Sequence, residues 1–386
     1  MATTVIEALR RFLPAYLERN PALDTARRRA VWAITHCRTA AMGGHLHACP
    51  QCETRQFRFH SCNHRSCPQC GRQDTAAWVQ RELGKRVGAP TFMVTFTLPE
   101  PLRRHFLGAA AAPMYRLFFD AASSALADTL ANPRWLGASF SGFTLVLHTW
   151  NQRLGFHPHL HAIVPGAGLG ADGRVVTVKS PRMLVPQKAL VRIFRARFRD
   201  ALRSLQVRQT LPSVDPALWR QPWGVHLQSF GSGETLIKYL GAYVCRTAIG
   251  DSRIVAIGDQ TVSFRWKDRA RGGVLRIDTL AGTEFVARYL RHVLPRGLRA
   301  IRHYGFCHPA ARAKRERIAF HTGRPLVLAD PGSPPPDQPA TPPTCPDCGC
   351  PMQPLLRLLP DWRIQPTTPS CENTRSRAPP STRSCA

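Results

Sequence analysis

The sequence is poor in acidic residues. Asp and Glu together number 24 among 386 residues, against 53 Lys and Arg, so the formal net charge is +29. This imbalance favours a polyanionic partner, most simply nucleic acid. A basic surface that is only solvated, or one that lies on a membrane surface, is the alternative interpretation of the same charge.

Long apolar runs are also missing. No run of about 18 apolar residues occurs, which excludes a predicted transmembrane span. Residues 1–20 have the period of an amphipathic helix and lack the basic-then-apolar order of a signal peptide. We therefore expect a cytoplasmic protein whose 13 cysteines are reduced, so that clustered cysteines bind metal rather than form disulfides. Hydrophobic residues make up 44% of the chain, enough for a folded core.

Six of the cysteines crowd into residues 37–70. Four of them form two CxxC turns, Cys49–Cys52 and Cys67–Cys70, with 14 residues between the turns. Each turn offers two thiolates to one tetrahedral ion, and two turns at this separation are typical of a zinc ribbon. The sequence therefore predicts structural Zn²⁺ at these four cysteines, with Cys37 and Cys62 as the first candidates for a second zinc site.

The remainder of the chain predicts an α+β fold with a mostly antiparallel central sheet. Alternating patterns predict strands at 91–98, 143–150, 157–164 and 262–266. Helical periodicity predicts helices at 103–130, 183–206, 234–246 and 285–293. Strands that adjoin in sequence, with helices grouped after them, are typical of this class.

Composition divides the chain into three expected parts. Residues 1–88 are expected to form a helix and a zinc-ribbon-like domain, and residues 89–310 the main body of the fold. Residues 311–386 are expected to be a Pro-rich linker, a third CxxC knuckle at Cys345–Cys348 and a disordered tail.

Histidines occupy alternate positions in the stretch HPHLH, residues 157–161. Because side chains alternate faces along a strand, His159 and His161 are expected to point to one side and to reach one metal ion. His157 lies on the same row, near the start of the strand. His148 ends the preceding predicted strand, and a hairpin would bring it beside the pair. The alternative is that these are surface or ordinary buried histidines.

The predicted helix 234–246 contains two tyrosines four residues apart, Tyr239 and Tyr243, which share one helix face. Arg246 continues that face. A phenol beside a guanidinium suits attack on a phosphodiester, because the oxygen forms a covalent ester and the cation stabilises the developing charge. Taken alone, this spacing is also that of an amphipathic core edge.

The histidine stretch followed by YLGAYVCR resembles the HUH (His-hydrophobic-His) single-strand transposases of the insertion-sequence ninety-one type. CRTAAMGGH and SCNHRSCPQC resemble the N-terminal zinc-binding domain of that family, and FMVTFTLPEPLR and FRWKD resemble its catalytic body. CPDCGCPM is similar to its C-terminal knuckle. The resemblance extends over roughly residues 20–355.

This resemblance implies an HUH-type catalytic domain in a bacterial insertion sequence. The resemblance implies an enzyme that nicks and rejoins single-stranded DNA, at the element ends and at the target, in rolling-circle transposition. The reaction passes through a 5′-phosphotyrosine intermediate. Carried over by motif, His159 and His161 are ligands of Mg²⁺ or Mn²⁺, and Tyr239 and Tyr243 are nucleophiles. An imidazole-rich site suits Mn²⁺ at least as well as Mg²⁺, which prefers oxygen.

Some assignments stay open at this point. The third ligand of the catalytic metal is His148, His157, Gln152 or another residue, and the sequence predicts no oligomeric state. Nucleoid association is expected for a DNA-acting cytoplasmic protein. The alternatives are an inactive transposase-derived zinc protein that only binds DNA, and a plasmid relaxase or replication initiator. The zinc domain and the absence of a helicase segment disfavour the latter.

Overall fold

The computed structural model describes residues 3–70, 73–207, 214–244, 247–324, 342–360 and 363–366. The chain divides into two compact units. The first comprises Met1–Thr35 and Asn63–Pro334, and the second comprises His36–Cys62 and Pro335–Ala386. Among the described residues, no helix combines the length and the apolar character needed to cross a membrane.

Helices and antiparallel strands alternate irregularly, which confirms the predicted α+β class. The α-helices in the described part of the chain are α1 (Val5–Arg19), α2 (Thr25–His36), α3 (Gln73–Gly84), α4 (Ala111–Ala131), α5 (Gln187–Val207), α6 (Glu234–Val244), α7 (Gly282–Arg291) and α8 (Arg312–His321). The strands of the first unit are β3 (Thr91–Thr97), β4 (Phe140–Trp150), β5 (Phe156–Pro165), β6 (Ala167–Leu169), β7 (Val175–Thr177), β8 (Gly224–Ser229), β9 (Ile254–Ile257), β10 (Thr261–Asp268), β11 (Val274–Ala281) and β12 (Ile301–Gly305). Those of the second unit are β1 (Gly44–Ala48), β2 (Arg55–Phe59), β13 (Gln353–Leu358) and β14 (Ile364–Pro366).

The main sheet of the first unit has the strand order β7-β6-β4-β5-β3-β8, and β12 also pairs with β4. All of its described pairings are antiparallel. This order places β5, the strand of the HPHLH stretch, in the middle of the sheet. Both neighbours of β5 can therefore present side chains beside its histidines.

Alternation along the central strands divides the sheet into two faces. Phe96, Leu147 and Leu160 belong to the large buried cluster that includes side chains of α4 and α5. Val146 and Ile163 point to the other face, where they pack with buried side chains of α3 and α6. The sheet is thus covered by helices on both faces, as expected for strands that are almost wholly buried.

Helix α6 begins where the backbone approaches the sheet closely. Gly233 has φ +77°, and a Cβ atom there would lie 2.7 Å from the side chain of Thr91 at the start of β3. Only glycine adopts this conformation without strain, and its missing side chain permits the approach. The start of α6, the tyrosine helix that carries Tyr239 and Tyr243, is thereby fixed against the sheet.

The first unit includes segments from the expected N-terminal part, residues 1–88, and from the expected C-terminal part, residues 311–386. Helix α1 packs against α7, and a Cβ atom at Gly282 would meet the ring of Phe12 at 2.2 Å. Helix α8 lies inside the segment expected as a linker, and its Ile318 is buried in a cluster with Val87. Both differences arise because these helices bury apolar side chains against segments distant in sequence, which local composition does not reveal.

The second unit is built on a four-stranded antiparallel sheet in the order β14-β13-β1-β2. Strand β1 pairs on one side with β2, close in sequence, and on the other with β13, some three hundred residues later. The C-terminal knuckle region is therefore part of the same sheet as the first CxxC turn. The rest of the predicted disordered tail, residues 367–386, lies outside the described residues.

Candidate active site and metal centres

Adjacent strands bring three of the predicted histidines together. In the β4–β5 hairpin His148 lies directly opposite His159, and His161 is two positions further along β5. The ring centroid of His148 is 5.5 Å from that of His159 and 4.8 Å from that of His161. The three residues offer ring nitrogens that all lie within 4.8 Å of one another, so that a single ion could contact all three.

The fourth predicted histidine, His157, lies beside this group. Its Nδ1 is 3.3 Å from Nδ1 of His159. It does not belong to the group of three that is found among the described residues. The geometry therefore favours His148 over His157 as the third ligand.

Burial keeps the imidazoles of His148 and His157 in the neutral form. It lowers the pKa of His148 well below the ordinary value, and the rings of His161 and His159 lower it further. Burial and the neighbouring His159 also lower the pKa of His157, to about 4. Both side chains are therefore neutral at pH 7, the form in which imidazole binds a metal.

Hydrogen bonds orient the two strand histidines. Nδ1 of His159 lies 2.7 Å from the backbone carbonyl of His157, which can only accept, so this nitrogen carries the proton. Nδ1 of His161 lies 2.9 Å from Oγ1 of Thr95, its register partner on β3. In His159 the unprotonated nitrogen that can bind a metal is therefore Nε2. In His161 the bond to Thr95, whose hydroxyl can donate or accept, orients the ring through Nδ1.

The tyrosine helix lies on the face of the sheet that presents these histidines. Leu236 and Leu240 of α6 pack in one buried cluster with Val146 and Ile163. These two sheet residues are two positions from His148 and His161 along their strands, and so share their face. Tyr239 is 38% exposed on this helix. Only the backbone of Tyr243 is described, and Arg246 lies outside the described residues.

The loop between the two histidine strands contacts a half-buried histidine, His292. Nδ1 of His292 lies 3.2 Å from Oγ1 of Thr149, and Nε2 lies 3.3 Å from the carbonyl of Leu154. Burial lowers the pKa of His292 to about 4. This neutral ring contacts both ends of the hairpin loop, through Thr149 and Leu154, and is not part of the group of three.

The predicted zinc cysteines lie in two groups, each with four thiols. Cys37, Cys62, Cys67 and Cys70 form the first group, and Cys49, Cys52, Cys345 and Cys348 form the second. In each group the four sulfurs lie within 4.8 Å of one another. The two N-terminal CxxC turns therefore do not share one site, which differs from the pairing that their spacing predicts.

The second group has the dimensions of a tetrahedral thiolate site. Sγ of Cys49 is 3.4 Å from Sγ of Cys348, and Sγ of Cys52 is 3.4 Å from Sγ of Cys345. Zinc–sulfur bonds of about 2.3 Å in a tetrahedron place the sulfurs about 3.8 Å apart. Backbone N–H groups of Cys52 and Gln51 lower the pKa of Cys49, which favours the thiolate that binds metal. The donor set fits structural Zn²⁺.

Two contacts of the candidate sites are not predicted from the sequence: that of Thr95 with His161, and that of Cys345 and Cys348 with the first CxxC turn. Thr95 is a polar residue in an apolar alternating strand, and only the register of β3 against β5 reveals that it meets His161. Cys345 and Cys348 form a visible third CxxC, but their partners lie some three hundred residues earlier. A CxxC turn supplies only two of the four thiolates of a tetrahedral zinc site. The third CxxC therefore indicates that two further cysteines must come from elsewhere in the chain.

Comparison with known proteins places two parts of the chain in transposase families. Residues 142–316, which include the three histidines and Tyr239, match a family described as a putative transposase. Residues 8–98, which include the first cysteine group, match a transposase zinc-binding domain. The cysteine groups and this match support structural zinc.

Two curated relatives cover most of the chain. The putative transposase y4qJ of Sinorhizobium fredii is 38% identical over 318 residues, which are 78% of this chain and 79% of the relative. The transposase for insertion sequence element IS801 of Pseudomonas savastanoi pv. phaseolicola is 27% identical over 291 residues, 70% of this chain and 67% of the relative. No solved structure matches the chain at a significant level.

Proposed function

The chain belongs to the insertion-sequence ninety-one type of transposases, and from this premise we propose that it nicks and rejoins single-stranded DNA through a 5′-phosphotyrosine intermediate, in rolling-circle transposition. DNA is the partner that the family implies. The single observation that carries the proposal is the group His148, His159 and His161 on the sheet face where the tyrosine helix packs.

The three imidazoles would hold the divalent ion of this reaction. A set with three nitrogen donors fits Mn²⁺ better than Mg²⁺, which takes oxygen ligands. When bound, such an ion polarises a phosphoryl oxygen and so makes the phosphorus easier to attack. The carbonyl of His157 keeps the ring of His159 in the tautomer whose unprotonated nitrogen is Nε2, and Thr95 holds the ring of His161 through Nδ1.

The tyrosines would perform the covalent step. The phenol oxygen of Tyr239 or Tyr243 attacks the scissile phosphorus, and the bond from phosphorus to the 3′-oxygen breaks. The phenol gives up its proton and the leaving oxygen takes one up, which yields a 5′-phosphotyrosine ester and a 3′-hydroxyl. A 3′-hydroxyl that attacks this ester restores a phosphodiester and frees the tyrosine. The ester conserves the bond energy, so rejoining needs no nucleotide cofactor.

The test is a covalent adduct assay on full-length protein. Single-stranded oligonucleotides that carry the two ends of the element are incubated with the protein and Mn²⁺, and the mixture is resolved under denaturing conditions. We expect a protein–DNA band that protease removes, and a DNA-modified peptide that contains residue 239 or 243. Tyr239→Phe with Tyr243→Phe is expected to abolish the band, whereas the control Tyr16→Phe, on α1, retains it.

Other outcomes decide against the proposal. An adduct that persists in the double variant refutes the assigned nucleophiles. Absence of any adduct from the parent chain, with zinc content and DNA binding intact, identifies it instead as a transposase-derived protein that only binds DNA. His159→Ala distinguishes the metal role, because it should abolish the adduct while zinc content stays unchanged.

A further inference from the structure

A hairpin outside the candidate active site exposes an unusual surface. Strands β10 and β11 pair along their whole length, from Thr261 opposite Ala281 to Asp268 opposite Val274. In the order β11-β10-β9, β11 is the edge strand. Val262 and Phe264 on one face of β10 are fully buried, so this inner face packs onto the rest of the unit.

The opposite face of the hairpin, which we call the outer face, mixes cations with aliphatic side chains. Arg265 pairs across the strands with Ile277, and Lys267 pairs with Leu275. Leu275 is 67% exposed and Ile277 is 59% exposed, and both cations are exposed as well. Within the described residues, neither Arg265 nor Lys267 takes part in an ion pair. Apolar side chains this exposed, side by side, are typical of a binding surface.

The inner face of the hairpin is fixed to the loop that joins the two histidine strands. Nε of Arg153 in that loop lies 2.7 Å from Oδ2 of Asp278 on β11, and its guanidinium lies 5.1 Å from the ring centroid of Trp266 on β10. Arg253 donates a hydrogen bond to the carbonyl of Gln152 in the same loop. The hairpin is therefore held beside the hairpin that carries His148 and His159.

We propose that the outer face of the β10–β11 hairpin binds the unpaired DNA strand beside the cleavage site, with Leu275 and Ile277 against bases and Arg265 and Lys267 on phosphates. This inference rests on the proposed function, since it takes its single-stranded substrate from there. Aliphatic side chains contact base faces only where bases are unstacked, because a duplex hides those faces within its stack. The two cations neutralise the phosphates that connect such bases.

Charge argues against a second copy of the chain as the occupant of this surface. A second copy of the chain docked symmetrically would bring two arginines and two lysines together without acidic partners on the outer face. The acidic residues of the hairpin are already committed, Asp278 to Arg153 and Asp268 to Arg276. A polyanion with accessible apolar faces fits the surface better than a like-charged protein.

The experiment measures DNA binding without cleavage. Full-length protein, without added divalent ion, is titrated into a fluorescent single-stranded oligonucleotide that contains an element end, and into its duplex. The variants are Leu275→Ser with Ile277→Ser, and Arg265→Gln with Lys267→Gln. The control is Phe320→Ser on α8, which removes an apolar side chain that is 68% exposed. All substituted side chains are exposed, so the fold is expected to stay intact.

We expect the serine pair to weaken single-strand binding about tenfold, which is towards the lower end of the effect of removing side chains that stack on bases. Duplex binding should change little, because paired bases do not present their faces to the hairpin. The glutamine pair should lower the slope of log affinity against log salt by about 1.4, at about 0.7 for each phosphate neutralised on a single strand. The Phe320 control should change neither quantity.

Three results would overturn the proposal. The first is unchanged single-strand affinity in both variants. The second is a change in the sedimentation of the variants, which would mark the face as an interface between copies. The third is that the variants lose binding to anionic lipid vesicles and keep binding to DNA. The proposed function is tested separately, since the same variants at saturating DNA should still form the covalent adduct. Absence of adduct from the parent and from all variants, with the expected differences in binding still present, refutes the proposed chemistry alone.

Discussion

At the scale of single residues, hydrogen bonds orient two of the three candidate ligands, His159 and His161. Thr95 provides one such bond, 2.9 Å long, to Nδ1 of His161. Partners of this kind set the ring orientation and the basicity of a metal-binding imidazole. Thr95 acts through His161 and has no described role of its own.

Replacing Thr95 by valine tests this role. Thr95→Val keeps the shape but removes the hydroxyl, and we expect Mn²⁺ affinity to fall about 10- to 100-fold. The measurement is the Mn²⁺ concentration that gives half-maximal adduct formation, together with calorimetric Mn²⁺ binding. The matched control is Thr97→Val on the same strand, whose hydroxyl donates to the carbonyl of Gly224 at 3.3 Å. Equal effects of the two substitutions would contradict the assignment.

A second prediction at this scale concerns His292 and pH. Its pKa is lowered to about 4 in the fold by burial, whereas an unfolded histidine titrates near 6.5. The unfolded state therefore binds the proton first, so the stability from this neutral ring is complete above about pH 6.5 and declines as pH falls towards 4. At pH 5 the loss should be about 2 kcal/mol.

The measurement is the free energy of unfolding of the parent and of His292→Gln at pH 7 and pH 5. Because glutamine does not titrate, the difference between the two proteins should shrink by that amount at the lower pH. Taking differences removes the contribution of cysteine protonation and zinc loss, which the two proteins share. A difference that does not vary with pH would mean that His292 binds its proton equally well in the folded and unfolded states.

At the scale of elements, a metal site joins strands that are remote in sequence. Strand β1 has β2 and β13 as its neighbours, and the turn after β1 meets the turn before β13 in the second cysteine group. A short sheet with exposed faces buries little apolar area, so ligand bonds are expected to supply much of its stability.

Removing the C-terminal thiols tests this arrangement. Cys345→Ser with Cys348→Ser should lower the zinc content from about two ions per chain to about one, because the chain has two groups of four thiols, each suited to one tetrahedral ion. Native mass spectrometry and elemental analysis measure the content. The control Cys350→Ser, outside both groups, should retain both ions. Unchanged zinc in the double variant would instead support one site shared by the two N-terminal turns.

At the scale of the whole molecule, the net charge of +29 sets the response to salt. Binding that neutralises phosphates releases counterions, so affinity falls as salt rises. We expect DNA affinity to fall at least about a thousandfold between about 50 and 200 mM salt, the loss typical of roughly six phosphate contacts. Fluorescence anisotropy at a series of salt concentrations measures the slope. A shallow slope would show that most of the charge is only solvated.

Local patterns were sufficient for several features of this protein. Alternation and periodicity predicted β3, β5, α5 and α6 close to their observed bounds, because each element buries one face and so repeats apolar residues at its own period. The same alternation put His159 and His161 on one side of a strand. Family membership followed from motifs that are contiguous in the chain, and the comparisons confirm it.

The chemistry-bearing residues can be identified from the chain itself: paired thiols, alternate imidazoles and spaced phenols. Which of them come together follows only from the fold. It put His148 rather than His157 with the strand pair, gave Thr95 to His161, and joined Cys49 to Cys348 across 299 positions. The physical reason is that register and sheet order arise from packing between distant segments, and no local repeat in the chain records which segments those are.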